Sequence, residues 1–392
     1  MKVLQVIPYF VPAWGYGGPL PVCYGLSKEL VQRGHEVTVY TTDALNAKNR
    51  IEMSEEIIDK IKVKRFKTLS NTLAYNHNIF FSPGMISMIR NNLKYFDIVH
   101  VHEYRTLQNT LIHRYAKKYN IPYLLQAHGS LPRIAVKQKL KKLFDMLWGY
   151  KLLRDASKVI ALTEIEAEQY KSMGVSEDKI EIVPNGVDLS EFESLPERGE
   201  FRRKYGLDNN QKLVLYLGRI HETKGLDLLV KAFANLPKDF NDVKLVIAGP
   251  DDGYRLTLKK LIKELGIEGR VLSTGPLYEE EKIKAYVDAD VFVTPSFYGF
   301  PVTFLEACAC GLPIITTTQA QGRLDWLDSQ AGLTVSYDKD QLGEAISRIL
   351  NNDKMRREFG EKGKLLVREQ FNWCKIAQKM EQVYLSCLPL GE

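Results

Sequence analysis

One pattern constrains the fold of this 392-residue chain more than any other: short apolar runs alternate with stretches of helical periodicity, and the alternation runs twice. KVLQVIPYF leads through a Gly/Pro-rich loop into the helical VCYGLSKELVQRG and then into HEVTVYTTD; strand, helix and strand at this spacing make a parallel βαβ unit. IKVKRF, FDIVHVHE, PYLLQAHG and SKVIALT continue the series, with helical stretches such as TLQNTLIHRYAKKYN between them. A turn-rich segment near residues 184–201, VPNGVDLSEFESLPERGEF, interrupts it and reads as an interdomain linker. The alternation resumes with LVLYLGRI, KLVIAGP, RVLSTGPL, ADVFVTPS, LPIITTT and GLTVS, separated by helical stretches such as GLDLLVKAFANL and EEEKIKAYVDA. The expectation is an α/β chain of two doubly wound parallel-sheet domains, Rossmann-like in architecture, spanning residues 1–186 and 187–371. Ligands of such sheets bind beyond the carboxyl ends of the strands, so the loops after LVLYLG, VIAG, STG and VTPS should converge, and two such domains facing each other leave one deep cleft.

Composition narrows the class. With 45% hydrophobic and 26% charged residues the chain has the make-up of an ordinary globular protein, which excludes disorder. The net charge of +6 is too mild and dispersed for a nucleic-acid-binding protein, though it suits anionic substrates or lipid headgroups. The five cysteines are scattered and lie mostly in apolar runs such as LEACACGLPII, where a reduced thiol acts as a small hydrophobe; a cytoplasmic location is expected. MKVLQVIPYF runs into prolines and glycines without a cleavage-site pattern, and no eighteen apolar residues follow one another, so a soluble body is expected.

Three constellations carry chemistry. The loop from Pro12 to Pro19 holds Gly15, Gly17 and Gly18 ahead of a helix, where backbone N–H groups can approach an anion or a sugar closely; a plain tight turn is the alternative. The loop GRIHETKG, opening at Gly218, sets Arg219 and Lys224 five positions apart between a strand and a helix, a spacing that lets a fork and a point charge grip a diphosphate; two solvated surface charges are the alternative. It is no P-loop, because G-x-x-x-x-G-K-[ST] is absent. In PSFYGFPVTFLEACACGLPIITT the only charged residue is Glu306, expected to open a helix and to accept either ribose hydroxyls or the amides of its own helix.

Taken together these stretches resemble the family 4, or group 1, glycosyltransferases of the GT-B fold, and the likeness covers nearly the whole chain. The resemblance implies that Gly17 and Gly18 belong to an acceptor-side loop, that His128 in QAHGS stands beside the donor sugar, and that VPNGVD joins the domains. It implies that Arg219 and Lys224 bind the diphosphate, that Glu306 binds the ribose, and that Gly218, Gly299, Phe300, Pro301 and Leu305 line the donor site. It also implies that the terminal helix, residues 372–392, crosses back onto the first domain. The function it implies is retaining, metal-independent hexosyl transfer from a UDP- or GDP-sugar, without further cofactor, to a glycan or lipid-linked saccharide in cell-surface polysaccharide or glycoconjugate synthesis.

One departure stands out. The family's usual pair of glutamates eight positions apart has Tyr298 at the place of the first, which bears on donor choice and competence. A weakened transferase that binds nucleotide or glycan, and a GT-B nucleotide-sugar epimerase, are therefore the rival readings. His100 and His102 share a strand face, but no third ligand accompanies them, so no metal site is expected. AVKQKLKKLFDMLWGYKLLRDA, residues 135–156, is basic and amphipathic; it reads either as a helix that buries its apolar stripe in its own domain or as a peripheral contact with an anionic membrane at the inner face of the cell membrane.

Overall fold

The computed structural model describes residues 1–133, 138–296, 300–319 and 324–389, and the chain divides into two units, Met1–Gly186 with Trp373–Glu392, and Val187–Asn372. The first unit carries strands β1 (Lys2–Val6), β2 (Glu36–Thr42), β3 (Glu55–Ile58), β4 (Ile61–Phe66), β5 (Ile98–His102), β6 (Tyr123–Gln126), β7 (Lys158–Ala161) and β8 (Ile180–Ile182). They form one sheet in the order β3-β4-β2-β1-β5-β6-β7-β8, parallel except for β3 against β4. The inner strands are largely buried, as expected of a parallel sheet whose two faces are both covered, and several of their polar side chains, Gln5, His100 and His102 among them, are buried with the rest. β3 and β8 lie outside the apolar pattern, since each sits at an edge and no residue of either is fully buried. The chain builds outward from β1 in one direction and from β5 in the other, so the topological switch point falls between these two strands.

Helix Pro19–Gln32 starts on a proline, which fixes the first helical φ without sacrificing a needed donor, and it packs beside the last helix of the chain, Trp373–Cys387. The indole of Trp373 lies against two glycines: a Cβ on Gly25 would stand 2.3 Å from the ring and one on Gly186 2.9 Å from it. Ile376, Ala377, Met380, Val383 and Tyr384 are buried behind Trp373, so a helix from the far end of the sequence completes the first unit.

The second unit carries β9 (Leu213–Leu217), β10 (Lys244–Ala248), β11 (Val271–Gly275), β12 (Val291–Thr294), β13 (Ile314–Thr317) and β14 (Gly332–Val335) in the order β11-β10-β9-β12-β13-β14, all parallel. Its switch point lies between β9 and β12. Helices Leu226–Ala234 and Lys339–Leu350 pack on the sheet through Leu229, Phe233 and Ile346, which join Val214, Ile247 and Val293 in one core.

The basic amphipathic stretch departs from one of its two sequence readings. Residues 135–137 lie outside the described ones; the rest forms a helix over Gln138–Phe144, a π-helical turn over Asp145–Gly149 and a helix over Tyr150–Asp155. Leu152 and Leu153 are buried, but Leu140, Leu143, Met146, Leu147 and Trp148 are not, with Leu140 61% and Met146 60% exposed. What turns inward in the middle of the stretch is Asp145, fully buried between the guanidinium groups of Arg105 and Arg133. No helix among the described residues is long and apolar enough to cross a membrane.

Candidate functional site

In the second unit, backbone hydrogen bonds zip the loop after β9 to the loop after β10. The N–H of Gly218 donates to Ala248 O at 3.0 Å, that of Ile220 to Pro250 O at 2.9 Å, and that of Asp252 to Ile220 O at 3.1 Å. Gly249, at φ +151°, comes so near that a Cβ there would stand 1.8 Å from the oxygen of Gly218, which leaves room for glycine alone. Arg219 emerges from this zip half exposed, with its guanidinium paired to Asp252. Its backbone oxygen is held by the Tyr216 hydroxyl at 2.8 Å. Lys224 closes the short turn Glu222–Lys224, which His221 caps by accepting the Thr223 N–H at 3.2 Å. Gly225 follows at φ +67°, where a Cβ would lie 3.0 Å from Pro295 at the end of β12. Burial, with the nearby Arg219 charge and against the pull of Asp252, lowers the Lys224 amine to about 8. The two cations are thus near enough for their charges to interact, Asp252 pairs with Arg219, and Lys224 makes no ion pair among the described residues.

Glu306 does not open its helix. Pro301 caps Val302–Ala309, so the glutamate falls in the second turn, past the free N–H groups that could have satisfied it. Its partners stand on the neighbouring helix Glu279–Asp288: Lys282 Nζ lies 2.6 Å from Oε1, and the Tyr286 hydroxyl donates to Oε2 at 2.9 Å. Burial works against the Lys282 charge, yet Glu306 outweighs it and the amine's pKa is raised; the Tyr286 hydroxyl is pushed well above its ordinary value by burial and then by Glu306. Each carboxylate oxygen engages one donor and retains acceptor capacity for another. The sequence offers a weak trace of this pair, because Lys282 and Tyr286 are four residues apart and share a helix face. The glutamate they hold is not legible from that spacing.

The other positions expected on the donor side are unevenly placed. Leu305 is fully buried, and the Phe300 ring is stacked on Trp326 and tilted against Phe371, each at 5.3 Å between centroids, so both residues offer a ligand only their backbones. The Pro301 oxygen accepts the Phe304 N–H at 3.2 Å. Tyr298 and Gly299 lie outside the described residues.

In the first unit, a Cβ on Gly17 or Gly18 would meet nothing within 4 Å, so the space beside this loop is open. Tyr16 next to it stacks on Tyr9 at 4.6 Å and meets Tyr75 edge-on at 5.8 Å. His128, two residues past β6, adopts φ +53°, in the left-handed region that few non-glycine residues visit and that histidine enters more readily than most. Its turn is clamped from several sides. The N–H groups of Gly129 and Leu162 donate to the two oxygens of buried Glu166, each at 2.7 Å, and burial against these two bonds pushes the Glu166 carboxyl up to about 7. The Arg105 guanidinium reaches Ser130 O at 2.6 Å and Leu131 O at 2.8 Å while it holds Asp145, so one arginine ties this turn to the amphipathic stretch. Glu166, Arg105 and Asp145 carry no local sequence motif, and only the fold brings them together.

His100 and His102 share a face of β5 with their rings stacked at 4.4 Å, and both are fully buried. Each has a protein partner: Tyr384 for His100, and Gln5 and His128 for His102. Among the described residues no group of three His, Cys, Asp or Glu side chains is arranged to hold a metal ion.

Two sheets with switch points, and a cation pair and a carboxylate helix on either side of the second one, define a class that comparison with known proteins makes specific. The family described as glycosyl transferases group 1 matches residues 197–366, and the one described as Glycosyltransferase Family 4 matches residues 16–191. The D-inositol 3-phosphate glycosyltransferase of Mycobacterium sp. (strain KMS) is 32% identical over 79% of this chain and 72% of its own. Among solved structures, sucrose-phosphate synthase from Thermosynechococcus elongatus superposes with a TM-score of 0.82 at 23% identity, covering 98% of each chain. Anabaena HepE, in complex with UDP and glucose, superposes with a TM-score of 0.79 at 18% identity, covering 98% of this chain and 100% of its own. The chain belongs to the group 1, family 4 glycosyltransferases, and its fold is GT-B.

Proposed function

We propose that this glycosyltransferase moves a hexose from a nucleotide-sugar to a glycan or lipid-linked saccharide with retention of anomeric configuration and without a metal ion. The observation that carries the donor side is the position of Arg219, Lys224 and Glu306: the loop after β9 and the helix after β12 flank the switch point of the second sheet, where parallel α/β sheets bind ligands. Lys224 and Arg219 grip the diphosphate, and Glu306, steadied by Lys282 and Tyr286, takes the ribose hydroxyls. The two cations then stabilise charge that grows on the departing diphosphate, an interaction worth roughly 3 to 4 kcal/mol per donor in comparable sites. In a front-face mechanism the departing phosphate oxygen takes the proton of the acceptor hydroxyl as the new glycosidic bond forms, so no protein nucleophile is required. His128 serves the donor sugar, and the open loop at Gly17 and Gly18 serves the acceptor.

The bound UDP of HepE puts uridine first in a panel of nucleoside diphosphates, with guanosine second. A preferred ligand at about a hundred times its dissociation constant raises stability by about 2.7 kcal/mol, read as a thermal shift. Transfer from the matching nucleotide-sugar to saccharide acceptors then tests the activity. Binding without transfer to any acceptor favours the weakened transferase that Tyr298 raises, and isomerisation of the donor without acceptor favours the epimerase. A peripheral contact with an anionic membrane, which would bring a lipid-linked acceptor within reach, is supported by the wetted Leu140, Leu143, Met146, Leu147 and Trp148 among exposed Lys139, Lys142, Lys151 and Arg154.

A further inference from the structure

The buried histidines of β5 form a line that ends at His128. His128 Nε2 lies 2.8 Å from His102 Nδ1, and His102 Nε2 lies 2.8 Å from the side-chain oxygen of Gln5 on β1. The Gln5 amide donates to the Tyr384 hydroxyl at 3.2 Å, and that hydroxyl lies 2.8 Å from His100 Nδ1. Gln5, His100, His102 and Tyr384 are all fully buried. Burial keeps the three rings neutral: His128 and His100 are lowered to about 3, and His102 well below its ordinary value.

A neutral imidazole has one nitrogen that donates and one that accepts, so each hydrogen bond in this line dictates the next. The Gln5 oxygen can only accept, so His102 Nε2 carries the hydrogen. His102 Nδ1 is then a lone pair, and His128 Nε2 must donate to it. The remaining nitrogen of His128, Nδ1, is left as a lone pair, and it makes no hydrogen bond to the described residues. Turning the Gln5 amide over reverses every bond and makes Nδ1 of His128 a donor instead. The clamp on the His128 turn, with Glu166 holding the Gly129 N–H, keeps the ring where this difference is presented.

We propose that Gln5 and His102 are positioning residues that set the tautomer of His128, so that its Nδ1 accepts a hydrogen bond from a sugar hydroxyl, and that Tyr384 on the terminal helix, by accepting the Gln5 N–H while its own hydrogen goes to His100 Nδ1, holds the amide in the orientation this requires. The consequence for transfer rests on the role of His128 at the donor sugar proposed above. The relay itself does not.

Ring 15N–1H correlation spectra of the full chain separate the two. In the unaltered protein His128 is expected in the Nε2–H form. Gln5→Leu removes the oxygen that orients His102 and should give a mixture of tautomers. Tyr384→Phe, a change on another element, strips the acceptor from the Gln5 N–H; an unpaired buried carbonyl is tolerated better than an unpaired N–H, so the amide turns and His128 should move to the Nδ1–H form. Gln5→Leu should also lower kcat about tenfold with nucleoside-diphosphate affinity unchanged, a split that general unfolding would not produce. An Nδ1–H or charged His128 in the unaltered protein overturns the relay, as do ring shifts that neither variant moves. A changed tautomer with unchanged transfer leaves the relay standing and overturns the role of His128 at the sugar.

Discussion

At Lys224 the fold places an amine where burial disfavours its charge, and a diphosphate would restore that charge. The amine is protonated below about 8 and neutral above it, so nucleoside-diphosphate affinity should hold steady up to about pH 7 and then fall by up to about tenfold per pH unit above 8. Titration calorimetry between about pH 6 and 10 reads this directly. Lys224→Arg keeps its charge throughout and should flatten the profile, whereas Lys224→Ala should lower turnover at least about a hundredfold; near-normal rates in the alanine variant would remove Lys224 from the mechanism. Glu166 gives a fall with rising pH as well, in stability and at lower pH. Its folded carboxyl is raised from 4.5 to about 7, so its contribution is fully present below about pH 4.5 and is lost as pH rises through about 7. Urea midpoints should decline across that window by the equivalent of roughly 3 kcal/mol. Glu166→Gln does not titrate, and a decline of the same size in that variant would assign the effect elsewhere. The cation loop was legible in the sequence because Arg219 and Lys224 are close along the chain. The partners of Glu306 and His128 were not, because Lys282 is 24 residues from one and Gln5 reaches the other only through a neighbouring strand.

At the scale of elements, legibility followed burial. The inner strands announce themselves as apolar runs because both faces are covered, while β8, three half-buried residues with a glutamate in the middle, offers no such signal. The amphipathic stretch shows the limit of periodicity most clearly: an apolar stripe implies a covered surface but does not say what covers it. Here the π-helical turn carries Asp145 inward and leaves the large apolar side chains in solvent. Two substitutions separate the halves of this arrangement. Asp145→Ala leaves the Arg105 and Arg133 guanidinium groups without their shared carboxylate, and breaking a buried pair in this way costs about 3 to 5 kcal/mol, measurable as a lowered Tm. Leu143→Glu with Met146→Glu touches only exposed positions and should change stability by no more than about 0.5 kcal/mol per site. The same pair should abolish sedimentation with vesicles of anionic lipid, and undiminished sedimentation would show that the membrane contact lies elsewhere.

Over the whole molecule the two units differ in how the chain assembles them. Val187–Asn372 is continuous, with its sheet and covering helices all drawn from one stretch of sequence, whereas Met1–Gly186 needs Trp373 onward to close its core. The terminal helix buries Trp373, Ile376, Met380, Val383 and Tyr384 in the first unit. At about 1.5 to 3 kcal/mol for each large apolar side chain, these five contribute on the order of 10 kcal/mol before the ordering of the helix is counted. That is as large as the net stability of a typical domain, about 5 to 15 kcal/mol. Residues 187–372 expressed alone should therefore unfold cooperatively and bind the preferred nucleoside diphosphate within about tenfold of the full chain. Residues 1–186 alone should lack the near-ultraviolet circular dichroism of a packed core. In the intact chain Trp373→Ala, which empties the space against Gly25 and Gly186, should destabilise the first unit by about 3 to 5 kcal/mol while nucleotide binding persists. A cooperative transition in the isolated 1–186 fragment would mean that the terminal helix only rests on that unit, and a loss of nucleotide affinity in Trp373→Ala would mean that its packing governs the donor loops as well.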